Sequence, residues 1–136
     1  MKEGIIIFPL LDNDGETLED IHDALQRILV DMFGGFTMQE GQGGWRNPAT
    51  HRLHMDKVAI YSVATQDTPE NRRALGTIAV VCGMLGEQDA VYVKDTQGRV
   101  SIIAPSETLP ATEFAEMKRE AQQLRTLLVA NRPWWP

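Results

Sequence analysis

The order of local signals along the chain predicts an α+β fold, a ferredoxin-like split βαβ sandwich (βαββαβ) with an extra hairpin strand and a C-terminal helix. Three observations carry this reading. Helical apolar spacing occurs twice in the first 86 residues, each time after a strand-like run. Two strand-like runs lie between those helices, and two short ones follow the second helix. The resulting order β-α-β-β-α-β is that of a split βαβ, in which two helices cover one face of an antiparallel sheet and leave the other open.

Each element has its own justification. Gly4-Ile5-Ile6-Ile7-Phe8 is a β-branched run that ends at Pro9; it does not alternate and reads as a strand buried on both faces. Asp12-Asn13-Asp14-Gly15 is a turn. Thr17 offers an N-cap oxygen, with Asp20 three residues on. Leu18, Ile21, Leu25, Ile28, Leu29 and Met32 then repeat at helical spacing over 17–33, and Gly34-Gly35 ends the helix. Phe36 to Gln42 alternates as a half-exposed strand, and residues 41–50 form a flexible loop holding Trp45. From Leu53 to Ala64 a second strand sets Val58, Ile60 and Ala64 on one face and Ala59, Tyr61 and Val63 on the other. Thr68-Pro69 caps a helix whose stripe is Leu75, Ile78, Ala79, Cys82 and Leu85, closed by Gly86. Ala90–Lys94 and Arg99–Ile103 form a hairpin about Asp95-Thr96-Gln97-Gly98. A third helix follows from about Ala111 to Ala130. Residues 1–104 thus form the domain, and 105–136 a helix and Trp134-Trp135 tail packed on it or on a partner subunit.

Composition excludes several functions. The single cysteine, Cys82, rules out an internal disulfide and a cysteine-rich zinc module, and a chain of 136 residues buries enough surface to fold without either. No apolar run approaches membrane-spanning length, so no membrane partner is expected and the reading is a cytoplasmic protein. Residues 1–40 hold nine acids against two bases, whereas the rest of the chain is close to neutral. The acidity belongs to the first helix and its approach, and reads as a solvated face that includes His22. A clustered basic surface for phosphates is missing, so nucleic acid is not an expected partner.

The run Phe33-Gly34-Gly35-Phe36-Thr37-Met38-Gln39-Glu40-Gly41-Gln42-Gly43-Gly44-Trp45-Arg46, followed by Asp56-Lys57-Val58, resembles the signature of a family of small bacterial proteins of unknown function. That signature reads Gly-Phe-Thr, then Gly-x-Gly-x-Trp, and the resemblance spans about residues 17–64. It departs after Trp45, where Asn47-Pro48-Ala49-Thr50-His51 has no counterpart. The resemblance implies the fold and marks the loop; it brings no reaction.

Candidate functional residues follow from chemistry. Glycines around Gln42, Trp45 and Arg46 would let backbone approach a ligand, with the indole for stacking and the guanidinium for an anion. The sequence lacks the Gly-Lys-Ser/Thr ending of a phosphate loop, and a bulge or hairpin with Trp45 folded over the sheet edge is the favoured alternative. Glu40, His54 and Tyr61 are the catalytic candidates, a carboxylate, an imidazole and a phenol for acid–base work. His51 and His54 are three apart, so on a strand they face opposite sides and cannot share a metal ion; no metal or cofactor is expected. Cys82 is a core residue. Trp134 and Trp135 would dock on the sheet or on a neighbouring subunit. The sequence therefore points to a small homodimeric binding or accessory protein that presents a sheet face and a Trp loop to a small molecule or protein. The alternative is a small enzyme with an acid–base site in a sheet-face cleft, acting on a small organic substrate.

Overall fold

The computed structural model describes residues 1–88 and 90–104, with 110–113, 115, 116, 119 and 123 beyond them. Its elements are β1 (Lys2–Pro9), α1 (Glu19–Phe33), β2 (Thr37–Arg46), β3 (Leu53–Thr65), α2 (Pro69–Leu85), β4 (Val91–Lys94) and β5 (Val100–Ile103). The five strands form one antiparallel sheet in the order β2-β3-β1-β4-β5. β1 and β2 each run antiparallel to β3, which lies between them, so α1 makes a split βαβ crossover; β5 extends the ferredoxin-like arrangement outward from β4. Of the C-terminal unit, positions 111–113, 115, 116, 119 and 123 are helical, while Trp134 and Trp135 lie outside the described residues. Among the described residues no helix is long and apolar enough to cross a membrane.

The pleat sorts β1 by parity. Ile6 and Phe8 point at the helices and are buried, while Ile5, Ile7 and Pro9 face the other way and are only half-buried. The sequence expectation of a strand buried on both faces is thereby corrected, because α1 and α2 cover a single side. The core joins Ile6 and Phe8 to Leu18, Ile21, Leu25 and Leu29, with Leu75, Ala79 and Cys82 from α2. Burial pushes the Cys82 thiol up to about 12, which suits an inert core residue.

Local chemistry sets the ends of the helices. α1 starts one residue later than its cap signal suggests: Leu18 occupies the cap position, and the Thr17 hydroxyl accepts from the Glu19 N–H at 3.1 Å. Gly34 closes α1 at φ 87°, a left-handed turn that glycine adopts without strain. Met32 falls off the buried stripe and is exposed. Thr68 caps α2 by accepting from the Asn71 N–H at 3.1 Å, with Pro69 in the first turn. Asp67 then ties the α2 entry to the β4–β5 turn by accepting from the Thr96 hydroxyl at 2.8 Å and pairing with Arg72.

The largest departure from the sequence reading is at residues 41–46. They are not loop but strand, paired through to Arg46↔Leu53, and the turn shrinks to Asn47–Arg52. An edge strand tolerates glycine because one of its sides has no neighbour to pack against, and the Asn47 side chain organises the turn by accepting from the Ala49 and Thr50 N–H groups.

His22 is also corrected. It is 7% exposed rather than solvated, inserted between Phe8 and Tyr61. Its Nε2 lies 2.7 Å from the Pro9 carbonyl oxygen, which can only accept, so Nε2 carries the proton. Burial lowers the His22 pKa; the Pro9 carbonyl, Asp23 and Asp20 oppose that shift without cancelling it. The neutral ring's Nδ1 therefore accepts from the Tyr61 hydroxyl at 2.6 Å, and the Tyr61 oxygen accepts from Gln26 at 3.2 Å. Burial also pushes the Tyr61 phenol up to about 12, keeping it a donor. Tyr61→Phe leaves the His22 nitrogen without a donor, so denaturant unfolding should show a loss of about 1–3 kcal/mol. The pH dependence follows from the same network. Stability is complete above the 6.5 of ordinary histidine and falls as pH drops below it, because the unfolded chain takes up a proton that the folded ring resists. His22→Gln should flatten this slope in urea midpoints measured across that range, and an unchanged slope would refute the assignment.

Candidate functional site

The side of the sheet turned away from α1 and α2 is built by the residues that alternate away from the core. Ile7 on β1, Val58 on β3 and Ile102 on β5 make an aliphatic floor, and the register Ile7↔Tyr92 sets Tyr92 beside it. Toward the β2–β3 hairpin, Trp45 and Asp56 rise from the same face, and Gln88 closes the end before β4. Together they enclose a cleft of about 590 Å3, within the range of small-molecule sites.

Trp45 is held by stacking. Its indole lies 4.6 Å from the His54 ring, centroid to centroid, at an interplanar angle of 17°. These residues are directly opposite in the β2–β3 ladder, where cross-strand side chains meet most closely. Opposite Asp56 the ladder places Gly43, so no side chain screens the carboxylate from the cleft.

The candidates from sequence divide between the two faces of the sheet. Trp45 lines the cleft and His54 supports it from behind. Tyr61, seven residues along β3 from His54, points to the helices and is engaged with His22 and Gln26. Glu40 pairs with Ala59 and so falls on the helix-facing side, exposed at the sheet edge. Glu40, His54 and Tyr61 are therefore not brought together. Gln42 and Arg46 share the helix-facing parity, and the Arg46 guanidinium donates to the His51 carbonyl at 2.7 Å. Among the described residues no cluster of three or more His, Cys, Asp or Glu could hold a metal ion.

Asp56 stands out in the sequence only within the run Asp56-Lys57-Val58, and Tyr92 does not stand out at all. The signal for Tyr92 is the alternation Val91-Tyr92-Val93-Lys94, in which both valines are buried and Tyr92 must face outward. Which strand that face adjoins depends on the sheet order, which local pattern does not reveal.

Chemically, the cleft offers aliphatic surface, two aromatic rings and one carboxylate. That combination suits a small planar organic molecule with a positive charge, because ring faces and a carboxylate both attract a cation of low hydration. No protein-family model and no curated protein matches the sequence. Among solved structures, the fold is similar to a phage SAM lyase in complex with S-methyl-5'-thioadenosine, at a TM-score of 0.59 and 14% identity over 76% of this chain and 89% of that one. The apo state of a phage SAM lyase aligns at 0.57 and 15% identity over 75% and 87% of the two chains. At these identities the likeness is one of fold.

Proposed function

We propose that this chain is a small enzyme whose site is the sheet-face cleft, acting on a small organic cation of nucleoside size. The cleft itself carries the proposal, since it sets Trp45, Tyr92 and Asp56 around one apolar floor. The fold likeness suggests the compound to try first: S-adenosyl-L-methionine joins a planar base to a sulfonium centre. In this reading the indole of Trp45, braced by His54, stacks on the base. Asp56, the carboxylate among the residues lining the cleft, attracts the sulfonium and serves as the base. Asp56 takes a proton from the carbon next to the sulfur-bearing one, a carbon–carbon double bond forms between those two carbons, and the carbon–sulfur bond breaks with its electron pair returning to sulfur, which releases S-methyl-5'-thioadenosine and an unsaturated amino acid. The sulfonium cation thereby becomes a neutral thioether, which loses its attraction to Asp56 while keeping its contact with Trp45.

That asymmetry makes the test specific. Calorimetry should detect S-methyl-5'-thioadenosine binding, and chromatography should detect its formation from S-adenosyl-L-methionine. Trp45→Ala should weaken binding of the neutral product by about tenfold or more, the usual effect of removing an aromatic anchor. Asp56→Asn should abolish turnover while leaving affinity for the neutral product within about threefold, since no full charge is lost from that contact. Absence of saturable binding by the unsubstituted protein would overturn the proposal.

A further inference from the structure

We propose that the β2–β3 hairpin arm docks on a second copy of this chain, through the face turned away from the cleft. β1 ends at Pro9, opposite Val58, whereas β2 and β3 stay paired beyond it to Arg46↔Leu53. Residues 42–57 are thus a two-stranded ribbon without a third strand, and such ribbons are marginal in water on their own. One side of the ribbon carries Trp45 and Asp56 into the cleft. The other carries Leu53 and Met55, exposed at 59% and 53%. Met55 lies across Gly44, its sulfur 3.0 Å from where a Cβ would stand, so the two side chains form one apolar strip. Arg46, Arg52 and Lys57 rim it, and among the described residues none of the three is in an ion pair.

The complementary surface is on the chain itself. Between β1 and α1 the exposed Leu11 is followed within five residues by Asp12, Asp14 and Glu16. This loop has a fixed shape: Leu11 bridges to Thr17, and the Asp12 carboxylate accepts from the Asp14 and Glu16 N–H groups at 2.9 Å each. An apolar centre with an acidic rim matches an apolar strip with a basic rim in both respects. The two surfaces leave the same end of the sheet, since the Leu10 N–H donates to the Lys57 carbonyl at 3.0 Å. A single two-fold axis at that end can therefore set each arm on the other copy's loop, the isologous geometry most homodimers use. The cleft lies on the opposite face of the ribbon and remains open.

Sedimentation velocity over about 1–100 µM, the range in which modest interfaces titrate, should show self-association. Association should weaken as salt rises, because exposed charge pairs are screened. Leu53→Asp with Met55→Asp should give a monomer with an unchanged circular dichroism spectrum. Arg52→Glu should weaken association at least tenfold, and adding Asp14→Arg to that variant should restore it, an outcome misfolding cannot mimic. A protein that is monomeric throughout, or whose association ignores these substitutions and salt, would overturn the proposal.

Discussion

Among the described residues α1 and α2 both pack on one face of the five-stranded sheet, and the remaining features follow from that constraint. β1 needs Ile6 and Phe8 on one face to hold α1 and α2, and each such side chain contributes about 1.5–3 kcal/mol when fully buried. The central strand is apolar on its other face too, where Ile5, Ile7 and Pro9 meet Val58, Ile60 and Tyr92. Its interior position between β3 and β4 favours β-branched residues on both sides, while among the described residues only one side has helices packed against it. The half-buried outer face is a ready surface for a ligand with hydrophobic area, and the cleft lies at the end of it where the β2–β3 hairpin supplies polar and aromatic groups.

Against this apolar background the His22–Tyr61 pair is the core's principal polar node. It ties three elements together: α1 through His22 and Gln26, β3 through Tyr61, and the end of β1 through the Pro9 carbonyl. Hydrophobic packing tolerates small slides of a helix over a sheet, whereas two hydrogen bonds of 2.6 and 2.7 Å on one imidazole do not. The node therefore fixes where α1 sits at the Pro9 end of the sheet. That is the end from which both the acidic loop and the hairpin arm depart, so a core interaction on one face positions the surface features beyond it.

Much of the fold was legible because helix stripes and strand alternation are local. The Leu18, Ile21, Leu25 and Leu29 spacing, the Thr68-Pro69 cap and the Asp95–Gly98 turn each appear in the structure as read. Failures came where a residue's environment was set by something distant. His22 stands one turn after Leu18 and belongs to the same stripe, yet its acidic neighbours Asp20 and Asp23 suggested water. Gly41–Arg46 have loop composition, but ten consecutive pairings with β3 hold β2 as a strand. The candidate site was half legible: Trp45 stood out as a large aromatic in a glycine-rich run, while Tyr92 gains its role only once β4 is placed beside β1.

The glycines of β2 connect these observations. Glycine weakens a strand, and two adjacent ones in an already unsupported ribbon weaken it further. Each vacates space on a different face. Gly43 leaves Asp56 open to the cleft, with only Val58 within 3.8 Å of where a Cβ would be, whereas Gly44 lets Met55 lie flat along the outer side. Larger residues would give a stiffer arm and close both surfaces. The ribbon therefore gives up intrinsic stability for two usable faces, and anything that packs against one of them also orders the strands that present the other. A second copy seated on Leu53 and Met55 would restrain Trp45 and Asp56 directly, since those residues alternate along the same two strands. The proposed site and the proposed interface are in this sense two sides of a single element, and the weakness of that element would couple them.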